Sequence, residues 1–205
     1  MKTIAIIAQK GGATKTTLAI HLAVEAVNDN KEVMIIDLDP QASATKWKEI
    51  REGDTPLVVS IHSAMLDKTL KSAKEAGAEL VIIDTAPHSD NTSLTAAEKA
   101  DLIVIPTRTG LLDLQTVNSS VNIAKLTNKP AVIILSAIAV RGTIADEARD
   151  ALQVLGIEIS PYTTAYRAAY ANATNLGQTA QEYEPKGKAS EEVKELYRWV
   201  MNKLQ

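Results

Sequence analysis

Short apolar runs recur along the chain with few polar interruptions. They are "TIAIIA" (3–8), "EVMIID" (32–37), "ELVIID" (79–84), "DLIVIP" (101–106) and "AVIILSAI" (131–138), with "IEIS" (157–160) as a weaker sixth. The runs are rich in Ile and Val and lack polar alternation, the pattern of strands covered on both faces. Helical periodicity fills the gaps. "KTTLAIHLAVEAVNDN" places Leu18, Leu22, Val24 and Val27 near one stripe. Segments 109–128 and 142–156 have similar spacing, the second ending on Gly156 as a cap. Strand–helix alternation from end to end predicts an α/β fold: a doubly wound, mostly parallel sheet with helices on both faces. The polar stretch 178–192 reads as a surface loop leading to a final helix. With no internal repeat or low-complexity linker, residues 1–205 read as one domain.

Composition narrows the chemistry. Aromatic residues make up 3% of the 205 residues and Phe is absent, so the core must be built from Ile, Val, Leu and Ala. The absence of Cys excludes a disulfide scaffold, a thiolate zinc site and an iron–sulfur cluster. No apolar run approaches the ~18 residues of a membrane span, and a cytoplasmic location is expected. The net charge of −3 gives no bulk argument for nucleic-acid binding; such a surface has to be local.

In folds of this class, ligands sit outside the carboxyl ends of the strands. The first strand runs into "AQKGGATKTT" (8–17). A glycine-rich loop opening a helix presents successive N–H groups and a positive helix end to a phosphate. Gly11 and Gly12 let the backbone approach closely, with Ala13 and Thr14 completing the cradle. Lys15 is placed for the β/γ-phosphates, Thr16 for Mg²⁺ and Thr17 for a further phosphate oxygen. The usual pattern has glycine where this chain has Gln9 and Thr14, and Lys10 is an addition. The second strand ends in "IIDLDPQAS", with Asp37 and Asp39 on one face; the third ends in "VIIDTAP", with Asp84 at its tip. Each acid alone fits a helix cap. Three acids at two strand tips beside a Lys/Thr loop fit a hydrated Mg²⁺ on phosphates, with Thr16, Asp37 and Asp84 as its candidate residues.

Taken together, "KGGATKTT", "DLDPQAS" and "VIIDTAP" resemble the deviant Walker A, Walker A′ and Walker B elements of the ParA/MinD family of P-loop ATPases. "IPTRTGLLDLQTV", with Pro106 and Asp113, and the C-terminal segment from Thr163 extend the resemblance over nearly the whole chain. It looks like the small ParA type, in which the N-terminal helix-turn-helix domain of larger members is not expected. The resemblance implies a P-loop NTPase fold and Mg²⁺-dependent hydrolysis of ATP to ADP. It also implies an ATP-bound sandwich homodimer in which Lys10 reaches the partner's phosphates. Asp39 matches the residue that orients the attacking water, Asp37 supports the Mg²⁺ shell and Asp84 holds Mg²⁺. Residues 85–91 form the second switch, sensing the γ-phosphate. Family members often carry Asn near the end of the 131–138 strand, where this chain has Ser136; Ser136 and Pro161 are the candidate base contacts. The resemblance further implies non-specific DNA binding, nucleoid association, and a cargo adaptor that stimulates hydrolysis. Arg167, Lys186, Lys188, Lys194 and Arg198 are candidate DNA contacts.

Two rival readings stay open. A MinD-like role needs a membrane-binding C-terminal helix. "SEEVKELYRWVMNKLQ" is amphipathic, with Val193, Leu196, Tyr197, Val200 and Leu204 on a stripe, but it opens on Glu191 and Glu192, which favours docking onto the sheet. A nucleotide- or DNA-binding scaffold without useful hydrolysis follows if Thr14 distorts the loop, through bulk and, at positive φ, through strain.

Overall fold

A computed structural model describes residues 1–204. Seven strands form one sheet, every pairing parallel, in the order β3-β2-β4-β1-β5-β6-β7. They are β1 (Lys2–Ile6), β2 (Val33–Asp37), β3 (Leu57–Ser60), β4 (Leu80–Asp84), β5 (Leu102–Thr107), β6 (Ala131–Leu135) and β7 (Glu158–Ile159). The helices are α1 (Lys15–Asn28), α2 (Ser43–Ile50), α3 (Leu66–Glu75), α4 (Asp90–Lys99), α5 (Leu111–Thr127), α6 (Ile144–Gln153), α7 (Ala168–Asn175), α8 (Ala180–Tyr183) and α9 (Lys188–Asn202).

All six expected strands are present, and their apolar continuity has the expected cause. Successive side chains on β1, β2, β4 and β5 enter opposite cores. Ile4, Ile6, Ile35, Ile82 and Val104 pack with α1, Trp47 and the apolar stripe of α9. Ala5, Ile7, Ile36, Ile83 and Ile105 pack on the other face with α3, α4, α5 and α6. The stripe residues Val193, Leu196, Tyr197, Val200 and Leu204 are all buried in the first core, so α9 docks on the sheet side and its apolar face is not offered to a bilayer. Among the described residues no helix is long and apolar enough to cross a membrane.

Two expectations are corrected. The sheet has a seventh strand, β3, whose four residues pair with β2 at the edge. The 178–192 segment is not a surface loop. Thr179 caps α8 in a reciprocal capping box with Glu182, and Thr179, Ala180 and Gln181 are buried. Gln181 Nε2 donates to the His21 carbonyl at 2.9 Å, and Arg51 forks onto Glu182 at 2.6 and 2.9 Å. The polar side chains that suggested exposure are used to hold this segment against α1 and α2.

Candidate functional site

Parallel pairing brings the carboxyl ends of all seven strands to one rim. Asp37 stands opposite Asp84 in the β2–β4 register, and Ile6 opposite Asp84 in β1–β4. The loop leaving β1 therefore begins beside both acids. It turns twice through positive φ, at Gly12 (+73°) and Thr14 (+66°), and enters α1 at Lys15. Residues 11–17 with Asp39, Ser43 and Pro87 line a crevice of about 220 Å³. Nothing lies within 4 Å of where a Gly11 side chain would begin, so that backbone is open to a ligand.

Lys15 is buried and donates to the Ala8 carbonyl at 3.0 Å. Burial pulls its ammonium below the usual lysine range, opposed by the charges of Asp84 and Asp39. Thr16 Oγ1 donates to Asp84 Oδ2 at 2.6 Å. Asp84 is fully buried, and its Oδ1 has no hydrogen-bond partner. Burial pushes its carboxyl up to about 7; the Thr16 hydrogen bond opposes this and the Asp37 charge adds to it. A buried carboxylate oxygen without a donor, beside a threonine hydroxyl at a phosphate loop, fits a divalent cation. Among the described residues there is no cluster of three or more His, Cys, Asp or Glu that would hold a metal alone. The donor set thus suits Mg²⁺, which takes few protein ligands and completes its shell with water and phosphate.

Asp37 is placed differently from the expectation that it joins the Mg²⁺ shell. Its Oδ1 accepts the Asp39 N–H at 3.0 Å, and its Oδ2 accepts those of Ala44 and Thr45 at 3.1 and 3.2 Å. Both oxygens therefore anchor the loop into α2 and fix Asp39. Asp39 is half-buried; its Oδ1 accepts the Gln41 N–H at 2.9 Å. It faces the phosphate crevice and also a wider one of about 640 Å³ that includes His62, Pro87 and Thr92. The 85–91 segment is tied back to the loop. His88 (φ +53°) donates its N–H to the Gln9 carbonyl at 3.0 Å, and the Gln9 side chain donates to Asp90. Lys10 turns away, its Nζ 2.8 Å from Asp113 on the first turn of α5.

On the other side of the loop lies a cavity of about 370 Å³, bounded by Thr14, Thr17, His21, Ser136, Thr164 and Tyr166 among others. Thr14 Oγ1 donates to Ser136 Oγ at 2.6 Å, and Ser136 Oγ lies 2.8 Å from Thr164 Oγ1. Pro161 is exposed and is not part of the cavity wall; Thr164, Ala165 and Tyr166 stand where it was expected. Sequence reasoning also missed His21 as a wall residue. Its Nε2 accepts the Ala180 N–H at 3.0 Å, so Nδ1 carries the proton and donates to the Thr17 carbonyl at 2.7 Å. Burial pulls its pKa down to about 4. Only the three-residue spacing from Leu18 marked its position, and nothing in the sequence signals the contact with residue 180.

A parallel sheet, a glycine loop opening a helix and an acid-lined rim define a P-loop NTPase fold. Residues 4–203 match the CobQ/CobB/MinD/ParA nucleotide binding domain, and the chain belongs to that family. It is 35% identical over 127 residues to the maintenance of carboxysome distribution protein A of Gloeobacter kilaueensis, covering 61% of this chain and 57% of the relative. The chain spans about half the length of the curated relatives it matches. In three dimensions it is similar to a Cyanothece McdA variant in complex with ATP (TM-score 0.80, 18% identity, 100% of this chain and 96% of the other). It is also similar to the cell division ATPase MinD of Pyrococcus furiosus (TM-score 0.81, 17% identity, 98% of each chain).

Proposed function

We propose that the chain is a ParA-type ATPase that positions or segregates a cargo through cycles of ATP binding and hydrolysis. The observation that carries this reading is the Thr16–Asp84 contact beside Lys15, with Asp39 held over the same crevice. In this reading the phosphates lie on the N–H groups of residues 11–17, and the base enters the cavity beyond Thr14. Lys15 exchanges the Ala8 carbonyl for phosphate oxygens. Thr16, and Asp84 through water, would hold Mg²⁺, which when bound neutralises charge on the β- and γ-phosphates. Asp39, fixed by the Asp37 anchor, orients the attacking water.

The proposed active form is a pair of copies clasping ATP, with Lys10 supplied in trans. Leu111 and Leu112, at the start of the helix that holds Lys10, are largely exposed, which favours a covered surface here. The paired form binds DNA without sequence preference, is released when a cargo adaptor stimulates hydrolysis, and so works in the cytoplasm on the nucleoid. Of the basic candidates, Arg167 is bound to Glu192 and Lys188 to Glu191, and Lys194 donates to the Pro185 carbonyl. Among the described residues, Lys186 and Arg198 have no ion pair and are the better phosphate contacts. The positive φ of Thr14 favours a second reading, a chain that binds ATP without turning it over.

The test is ATP hydrolysis and DNA retention by the native chain and by Lys15→Ala. The native chain should hydrolyse Mg·ATP slowly and shift DNA only with ATP, while Lys15→Ala should lose at least about tenfold in ATP affinity. Binding without turnover, with DNA and adaptor present, would select the second reading. Unchanged affinity in Lys15→Ala would remove the phosphate-loop assignment.

A further inference from the structure

Thr14 combines two features that conflict. It is β-branched, and its backbone lies at φ +66°, a conformation that favours glycine. Left alone, such a residue would strain the loop or reshape it. Its side chain is not left alone. The Thr14 hydroxyl donates to Ser136, and Ser136 has one proton of its own. Ser136 Oγ is in turn hydrogen-bonded to Thr164 Oγ1 at 2.8 Å, a pair in which either hydroxyl can donate. Ser136 and Thr164 are fixed on the sheet. The Ser136 N–H donates to the Thr107 carbonyl at 2.8 Å, and the Thr164 N–H donates to the Leu135 carbonyl at 3.2 Å. Both are buried. The chain of hydroxyls thus runs from the phosphate loop to the residue after β6 and to the segment that follows β7. Thr14 is the residue that borders the phosphate crevice and the 370 Å³ cavity together with Thr17.

We propose that Thr14 is a positioning residue: its hydroxyl, acting through Ser136 and Thr164, locks the phosphate loop in its nucleotide-binding shape and couples that loop to the cavity wall. Threonine thereby replaces the conformational freedom of glycine with a tether, and the departure from the usual loop pattern is matched by a serine at residue 136. The proposal rests on the nucleotide reading above.

The test is a double-variant cycle on the full chain, with a fluorescent ATP analogue and with thermal unfolding in the absence of nucleotide. Thr14→Val keeps the β-branch at φ +66° and removes the donor; Ser136→Ala removes the acceptor. Each should weaken binding of the analogue by about three- to tenfold, with the loss seen in KM rather than kcat. Thr14→Val/Ser136→Ala should bind no worse than Ser136→Ala alone, because both changes remove the Thr14–Ser136 bond and only Ser136→Ala also removes the link to Thr164. Thr14→Ser, which keeps the donor, should restore most of the affinity. Additive losses, or full affinity in Thr14→Val, would overturn the proposal. Coupling in the unfolding midpoints with unchanged nucleotide affinity would also overturn it, since the hydroxyl chain would then be purely structural. If the native chain itself fails to bind the analogue, the nucleotide reading fails, and the positioning role with it.

Discussion

Lys10 Nζ lies 2.8 Å from Asp113, so one short ion pair joins the phosphate loop to the first turn of α5. The lysine that the two-copy reading needs in a neighbour's site is held, in the single chain, against its own helix. The pair is partly exposed, with 35% and 15% of the two side chains accessible, so its strength is that of a modest surface bridge.

Asp113→Asn should therefore release Lys10 and strengthen ATP-dependent self-association by about two- to fivefold. Sedimentation equilibrium with a non-hydrolysable ATP analogue measures this, with Lys10→Ala as the chain that should not associate. An unchanged association constant in Asp113→Asn would mean that the ion pair does not compete with pairing.

Asp39→Ala should keep ATP binding and lower the hydrolysis rate by about a hundredfold or more, the usual effect of losing a group that positions a proton acceptor. Single-turnover kinetics with saturating Mg·ATP separates this from a binding defect. Retention of the full rate would take Asp39 out of the chemistry and leave it as a loop residue held by Asp37.

His21 makes the fold sensitive to acid. Its folded pKa is about 4 against an ordinary 6.5, with both ring nitrogens engaged. Below pH 6.5 the unfolded chain takes up a proton that the folded chain refuses. Stability contributed by the neutral ring is thus complete above pH 6.5 and is lost as pH falls toward 4, by on the order of 3 kcal/mol. Thermal unfolding of the native chain and His21→Gln between pH 7 and pH 4 checks this. The native midpoint should fall several degrees further than that of the variant; parallel curves would mean that His21 titrates normally.

Among the glycines of the C-terminal third, Gly177 lies closest to neighbouring backbone. A side chain there would begin 2.6 Å from the Arg51 backbone nitrogen, at φ +66°. Gly177→Ala should destabilise by about 3 kcal/mol, combining overpacking with left-handed strain. The unfolding midpoint should drop by roughly 6–12 °C. A drop of less than 2 °C would show that α2 and α7 separate easily.

The sequence displays what depends on local chemistry and hides what depends on contact. Buried strands announce themselves because two-sided cores demand unbroken Ile/Val runs. β3 does not, because an edge strand of four residues with Leu57 half-exposed has no such demand on it. Segment 178–192 reads as solvated because a capping box, a glutamine on a helix carbonyl and an arginine fork look, in sequence, like a polar surface. At the rim, the loop and its three acids are visible from spacing. The division among them is not: Asp37 and Asp84 are opposite each other, yet one is filled by backbone donors and the other keeps an open oxygen. The Thr14–Ser136 contact spans 122 residues and has no signature at either end.

The order in which the rim is encoded has a consequence of its own. Every group assigned to phosphates, metal and water lies between Lys10 and Asp90, whereas the far wall of the cavity comes from residues 136–175. In the reading proposed above, the phosphate-side groups and the cavity wall occupy separate stretches of the chain, joined by the Thr14–Ser136 hydrogen bond and by the edge-on contact of His21 with Tyr170. If that cavity takes the base, exchanging the segment behind β5 would alter base preference only where both contacts are kept.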